Sequence, residues 1–401
     1  MSFKQFFRLR SKVPKPSFSN HYSRIRNRFQ FEFCNRISGF RRNSPIPRAL
    51  LSFLYCTGLA HSCPISKKQL ITSAIFCILL HFVFLDIWFT NLEDYDSMYL
   101  KVSVAYLSSY TLTVIVWHAT RFKKKQISAL LHKIKEISSP PSEIATNYLI
   151  LINFSVPLVL SIVLANDYRT LENIWLYSYG YDIGNEWTKT ILITTKKFLY
   201  FAFYPAYTNT LALFYISVCL RCITYLKYLN RKIVECPFKT FDLCFQHDIL
   251  KKKAKIFDLL LMIQDVFSVP IFFVMIANIM MCSGIIGWFL VKSWDNSYYF
   301  WKIESVYLGI NAFLCVASII WVAGSVPVEL SKFKEIFHQK THQRLLNFSK
   351  LDELLNKVDL FNEPDFVLSG WEIIFFRKST ILALVGTLLT YTLFVMNING
   401  Q

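Results

Sequence analysis

Apolar and polar residues follow one another along this chain in long blocks. Seven stretches are mostly apolar and about 20 residues long, the length that a helix needs to cross a bilayer. They are Leu70–Thr90, Tyr99–Thr120, Asn147–Ala165, Phe198–Leu220, Gln264–Val291, Ser305–Val326 and Ser379–Ile398. The pattern predicts an all-α membrane protein with seven transmembrane helices.

Two features modify this picture. The run Ala49–Ala60 is too short to span, and we interpret it as an interfacial or buried helix. Pro157, Pro205 and Pro270 fall inside or near the starts of predicted spans. Membrane helices tolerate proline because neighbouring groups satisfy the carbonyl that it leaves without a donor.

Composition excludes several protein classes. Of the 401 residues, 54% are hydrophobic and 17% are charged, whereas soluble domains carry about 25% charged residues. A soluble enzyme and a disordered chain are therefore both disfavoured. The net charge of +18 is high enough to suggest nucleic-acid binding. However, the basic residues form blocks between apolar runs, which is typical of membrane proteins, so we expect no nucleic-acid partner.

The basic residues also predict an orientation. Segments 1–69, 121–146, 221–263 and 327–378 together hold 37 Lys and Arg, against 6 in the three segments that alternate with them. One of those three carries the acidic residues Glu93, Asp94 and Asp96. By the positive-inside rule the N-terminus is cytoplasmic and the C-terminus lies outside. Apolar residues recur at helical spacing in 249–263 and 329–361, which predicts cytoplasmic helical extensions that pack together or lie on the bilayer.

Motifs for catalysis or cofactor binding are absent. The chain has no GxGxxG, Walker, HExxH or GxSxG sequence, so we predict that it is not an enzyme and has no catalytic residues and no cofactor. Cys219 and Cys222 form a CxxC pair without a second pair at metal-binding spacing, so we predict no metal site.

The last span carries a small and polar stripe. Its members are Thr380, Ala383, Thr387, Thr390, Phe394 and Asn397. Their 3-4-3-4-3 spacing places them on one face of a helix. Such a stripe indicates either tight helix packing or a water-lined path in an oligomer.

The C-terminal region contains two short sequences before and within the last span. They are Gly370-Trp-Glu-Ile-Ile-Phe-Phe-Arg-Lys and Gly386-Thr-Leu-Leu-Thr-Tyr, followed after five residues by Asn397. Together they resemble the closing signature of insect gustatory receptors. Thr390 and Tyr391 match the Thr-Tyr motif of that family, whereas Asn397 stands where Gln is usual and Ile398 where Phe is usual. The motif resemblance covers residues 366–398, and the resemblance in architecture covers the whole chain.

This resemblance implies a chemosensory receptor in the plasma membrane that is a ligand-gated non-selective cation channel for small tastants. It implies a homo- or heterotetramer with related receptors, in which Thr387, Thr390, Phe394 and Asn397 line the pore. The expected regions are a basic cytoplasmic N-terminal region (1–69), a six-helix ligand-binding region (70–326), a cytoplasmic helical linker (327–378) and a pore-lining last helix with an outside tail (379–401).

Ligand contacts are expected in the outer halves of spans two to six. Candidates are Tyr99, Tyr106, Tyr204, Tyr207, Thr208, Trp288, Tyr307 and Asn311. Aromatic groups with a few polar groups suit a small organic ligand, although each could instead belong to an aromatic belt that contacts membrane lipid. The alternative functions are an insect odorant receptor-type channel, a G-protein-coupled receptor, which the charge map opposes, and a transporter, which the absence of mid-membrane charge opposes.

Overall fold

The computed structural model of the chain describes residues 47–60, 66–92, 100–136, 143–166, 177–291, 299–348 and 366–399. The helices are α1 (Arg48–Cys56), α2 (Lys67–Leu92), α3 (Leu100–Phe122), α4 (Lys124–Glu136), α5 (Glu143–Ala165), α6 (Glu186–Phe201), α7 (Thr208–Glu235), α8 (Leu243–Val291), α9 (Tyr299–Ala323), α10 (Ser325–Phe348) and α11 (Thr380–Asn399). Strands β1 (Ser369–Gly370) and β2 (Ile374–Phe375) pair antiparallel before α11. The all-α prediction is therefore confirmed, apart from this one hairpin in the described part of the chain.

These elements belong to one compact unit, Pro45–His61 with Lys67–Gln401. The second unit, Met1–Ser44 with Ser62–Ser66, lies outside the described residues except for Ser66. Several sequence predictions also fall outside the described residues: Glu93, Asp94, Asp96, Tyr99, part of the 327–378 linker, and the side chains of Phe394 and Asn397.

Every predicted span coincides with helix. Among the described residues, five helical stretches are long and apolar enough to cross a membrane: Lys67–Thr90, Ala145–Ala165, Glu186–Glu235, Leu243–Leu290 and Lys302–Arg344. The second predicted span lies in α3, and the last one contains the shorter apolar stretch Thr380–Thr392. The number of membrane crossings, seven, and their orientation stay predictions.

The long helix α8 is the centre of the bundle. It contacts α3, α4, α7, α9, α11 and β1. Close packing against α3 is possible because small groups meet there: the buried Ser109 hydroxyl donates to the carbonyl of Ala277 at 2.9 Å. With 49 residues α8 is about 73 Å long, more than twice the ~30 Å hydrocarbon core of a bilayer. It begins at Leu243, well before Gln264, so the predicted helical extension ahead of the fifth span is present.

Helix α1 packs one face on the bundle and leaves Ser52 and Cys56 exposed on the other, so both interpretations of the Ala49–Ala60 run stay open. Leu50 and Leu54 are fully buried, and α1 packs against α2 and α5. The indole of Trp117 in α3 donates to the carbonyl of Thr57 at 3.1 Å. This bond satisfies one of the carbonyls that the end of α1 leaves without an intrahelical partner.

The fourth predicted span is broken. Between α6 and α7 the segment Ala202–Tyr207 forms a π-helical turn around Pro205, and Tyr204 has extended backbone angles (φ −141°, ψ 122°). Side chains satisfy the carbonyls in this break. Asn153 Nδ2 donates to the carbonyl of Ala206 at 2.7 Å, and the Thr208 hydroxyl donates to the carbonyl of Pro205 at 2.8 Å. Irregular backbone is tolerated at membrane depth only where such partners are supplied.

The hairpin before α11 is fastened to α8. Gln264 accepts from the backbone N–H of Ser369 at 2.9 Å, and its side-chain amide donates to the Ser369 carbonyl at 3.1 Å. The N–H of Trp371 bonds the carbonyl of Ser268 at 3.0 Å. Gly370 allows this close approach, because a Cβ there would lie 3.3 Å from Cβ of Phe272. The start of the last helix is thereby fixed relative to α8.

Candidate functional site

A buried carboxylate connects α2 and α6. Asp86 is only 3% exposed and accepts hydrogen bonds from Lys196 Nζ at 2.8 Å, from the Tyr200 hydroxyl at 2.5 Å and from the Tyr179 hydroxyl. The Lys196 ammonium also lies 4.1 Å from the centroid of the Tyr179 ring. Because the charge is paired and hydrogen-bonded on several sides, its burial is tolerated.

The next residue along α6 forms a second ion pair, in a different direction. Lys197 Nζ contacts the two carboxylate oxygens of Glu304 in α9 at 2.9 and 3.1 Å, and both side chains are 15% exposed. Consecutive lysines therefore hold α6 to α2 on one side and to α9 on the other.

Three tyrosine side chains form a further set of contacts in the bundle. The hydroxyls of Tyr106 and Tyr110 are 3.1 Å apart, and the rings of Tyr110 and Tyr204 are 5.6 Å apart. The fully buried Tyr204 donates from its hydroxyl to Asn278 Oδ1 at 3.2 Å. This chain of contacts joins α3, the broken segment and α8, and we call it the tyrosine cluster.

Three asparagines form a second polar group, the amide cluster, between α5, α7 and α9. The amide of Asn209 donates to Asn153 Oδ1 at 3.0 Å and to Asn311 Oδ1 at 2.9 Å. Two of its buried atoms, Asn209 Oδ1 and Asn311 Nδ2, have no hydrogen-bond partner among the described residues. One acceptor and one donor are therefore unsatisfied, and burying them in that state is costly.

The residues predicted to contact a ligand lie in several different parts of the structure. Tyr106 and Tyr204 belong to the tyrosine cluster and Asn311 to the amide cluster. Tyr307 packs edge-on against Phe201, with ring centroids 5.9 Å apart.

Three other candidates have different surroundings. The Thr208 hydroxyl is used by the backbone of its own segment. Tyr207 packs on the rings of Phe53 and Phe76, towards α1 and α2. Trp288 packs on Phe289, about 15 Å beyond Asn278 along α8.

The sequence analysis did not identify many of the charged and polar residues of this region. The residues it did not single out as ligand contacts are Asp86, Tyr110, Asn153, Lys196, Lys197, Asn209, Asn278 and Glu304. It began the fourth span at Phe198 and the sixth at Ser305, so Lys197 and Glu304 were assigned to loops. Both ion pairs lie at or near the ends of predicted spans, so the expectation of no ion pair at mid-membrane depth stays a prediction. A signal was present in Asp86, which interrupts an otherwise apolar run.

The last helix turns one face to the bundle and the other away from it. Ile381, Leu384 and Leu388 pack on the core. The stripe residues Thr387 and Thr390 are exposed on the opposite side, with hydroxyls bonded to backbone carbonyls one turn earlier at 2.9 Å. Thr387 and Thr390 are therefore exposed in the single chain, as are Leu382 and Leu389 of the same helix, and the role of the stripe stays a prediction.

No group of three or more His, Cys, Asp or Glu that could hold a metal ion occurs among the described residues. No model of a known protein family and no curated protein matches the sequence.

The fold is similar to that of solved receptors. The insect olfactory receptor OR5 from Machilis hrabei matches with a TM-score of 0.67 at 13% identity, over 88% of this chain and 97% of that one. Its complex with eugenol matches with a TM-score of 0.63 at the same identity and coverage. At this identity the likeness establishes the fold alone.

Proposed function

We propose that this protein is a chemosensory receptor of the gustatory type and functions as a ligand-gated non-selective cation channel in the plasma membrane. The observation that carries the proposal is the receptor fold, combined with polar clusters buried among α3, the broken segment, α8 and α9. The Thr390-Tyr391 motif supports the gustatory type. A tetramer with a cytoplasmic N-terminus would bring four copies of α11 together around one axis.

The amide cluster favours a particular ligand chemistry. A hydroxyl can donate to Asn209 Oδ1 and accept from Asn311 Nδ2, which are the two atoms without partners. The neighbouring aromatic rings supply apolar contact area. We therefore propose a small hydroxylated tastant as the ligand.

Helix α8 connects the tyrosine cluster to the hairpin that precedes the last helix. Asn278 is in contact with the tyrosine cluster, and Ser268, about 15 Å further along the same helix, binds the hairpin that precedes α11. Pro270 lies between them and lacks the N–H that would bond the carbonyl of Val266. In this mechanism the ligand favours one of two positions of α8, and the hairpin transfers the shift to the pore helix.

The experiment is a ligand screen by ion current in cells that express the full chain. We expect hydroxylated compounds to open a cation current, and we expect Asn311→Leu to weaken the response to a hydroxylated agonist by about ten-fold. The matched control is the agonist's deoxy analogue, on which this variant should have little effect. Equal loss for both compounds would contradict recognition of a hydroxyl, and absence of any ligand-dependent current would contradict the channel proposal.

An odorant receptor-type channel is the second candidate, favoured by the similarity to an olfactory receptor. It predicts responses to volatile, weakly water-soluble ligands, with or without a hydroxyl, in preference to involatile, water-soluble ones. The same screen separates the two, because the agonist ranking is reversed.

A further inference from the structure

A cavity lies far from the tyrosine cluster and the amide cluster. Its volume is about 740 Å³, and it is enclosed by α8, the α9–α10 junction, α10 and the segment before α11. Phe257, Leu330 and Phe366 give it an apolar wall. Lys253 of α8 lines it, about 37 Å along that helix from Asn278. The cavity is therefore separate from both polar clusters.

Its charge is strongly one-sided. The basic lining residues are Lys253, Lys332, Lys334, Arg377 and Lys378, and the one acidic residue among the described lining residues is Glu335. Lys253 is only 6% exposed. In a cleft with low-dielectric walls the electric field of clustered cations is concentrated. Such a cleft attracts anions far more strongly than the same charges on an open surface. The excess of four positive charges among the described lining residues suits a multiply charged anion better than a singly charged one.

The cavity lies where the chain changes from apolar to charged. Helix α9 carries no charged residue from Ser305 to Ala323, and α10 carries charges from Glu329 onward. Trp321 is 57% exposed at the end of α9, and Lys378 Nζ lies 4.8 Å from the centroid of its ring. Exposed tryptophan with a neighbouring lysine is typical of the level of lipid headgroups.

We propose that this cavity binds a multiply charged phosphate ester, supplied either by the headgroup of a phosphorylated inositol lipid or by a soluble inositol phosphate. Basic pockets between membrane helices on the cytoplasmic side are suited to such groups. Only the cytoplasmic assignment of this region is taken from the proposed function. Bound phosphate would connect Lys332 and Lys334 of α10 to Arg377, which stands three residues before the first residue of α11.

The test measures binding, so it does not depend on channel activity. The full-length protein in phosphatidylcholine nanodiscs is titrated with a short-chain fluorescent phosphatidylinositol bisphosphate. For Lys332→Gln/Lys334→Gln/Arg377→Gln we expect Kd to rise by at least about ten-fold. The matched control is Lys251→Gln/Lys255→Gln, which removes two exposed charges from α8 outside the cavity and should change Kd by less than about two-fold. If the triple variant does not fold, Lys332→Gln alone replaces it, with an expected rise of about five-fold.

Two further arms identify the source of the phosphate. Displacement of the probe by soluble inositol trisphosphate at micromolar concentration indicates a soluble ligand, and retention of the probe at millimolar concentration indicates the lipid. Either result supports the proposal if the triple variant binds weakly. Equal binding of phosphatidylserine, equal loss in the control variant, or no binding above phosphatidylcholine would overturn it.

Discussion

Gly324 lies directly against the backbone of Lys378. A Cβ on Gly324 would stand 2.9 Å from the Lys378 amide nitrogen and 3.1 Å from the carbonyl carbon of Arg377. The glycine therefore allows the chain entering the last helix to pack against the junction of α9 and α10. Since backbone atoms cannot move aside as a flexible side chain can, the contact is sensitive to a single methyl group.

Gly324→Ala should displace the start of α11. We expect the free energy of unfolding to fall by about 1–3 kcal/mol, measured by thermal unfolding in detergent, and the ligand-dependent current to change. Gly309→Ala is the matched control in α9, because a Cβ there would make an ordinary 3.5 Å contact with Ile285 Cδ1. Equal effects of the two substitutions would show that the Gly324 contact is not the cause.

The Asp86–Lys196 pair should be costly to break from one side. Lys196→Met leaves the buried Asp86 carboxylate without its cation, so the free energy of unfolding should fall by about 3–5 kcal/mol. The double variant Asp86→Leu/Lys196→Met removes both charges and should recover most of this loss. Lys252→Met serves as the control, since its pair with Asp248 is more exposed and is expected to contribute about 0.3–0.5 kcal/mol. A double variant as unstable as Lys196→Met would contradict the explanation by an unpaired charge.

The hydroxyl of Tyr204 should matter to ligand response. Tyr204→Phe removes the bond to Asn278 and should raise the half-maximal agonist concentration by about five-fold, measured by ion current. Tyr207→Phe, three residues away in the same broken segment, is the matched control, because the Tyr207 hydroxyl has no described hydrogen-bond partner. A larger effect at Tyr207 would move the ligand region towards α1 and α2.

The stripe of α11 should line the ion path. Cysteines at Thr387 and Thr390 should react with aqueous thiol reagents during activation, whereas a cysteine at Leu388, which packs on the core, should react slowly. Phe394→Ala should raise the current without ligand, because a ring of four phenylalanines would form a dewetted constriction. Asn397→Asp should increase cation selectivity. If position 388 reacts as readily as 387, and Phe394→Ala leaves gating unchanged, the stripe is a packing surface.

The sequence predicted the helices well because membrane spans are set by local composition. A run of about 20 apolar residues leaves the backbone no partner but itself, so the described residues of all seven segments are helical apart from the break at Tyr204 and the turns at Gly324 and Ser379. What could not be predicted depends on contacts between distant segments. Asp86 and Lys196 are 110 residues apart, and nothing local shows that they meet. The hairpin at Ser369 likewise depends on Gln264, which is 105 residues away.

Thr387 and Thr390 lie on one face of α11, because helical geometry alone determines which residues share a face, and the pore-lining role of that face stays a prediction. The broken segment at Pro205 was expected only to be tolerated. Its consequence, a Tyr204 side chain fully buried between α3 and α8, follows from extended backbone angles that no local pattern specifies.

The continuity of α8 has a consequence for how such a protein can diversify. One helix holds Asn278 in the tyrosine cluster and Gln264 at the hairpin, so in the proposed channel ligand recognition and gating would share a helix but no side chains. Substitutions in α3, α7 and α9 would then alter which compound is detected while the residues that carry the gating movement stay the same. A duplicated copy of such a gene could acquire a new ligand preference through a few changes at one end of the molecule, with no compensating change at the other.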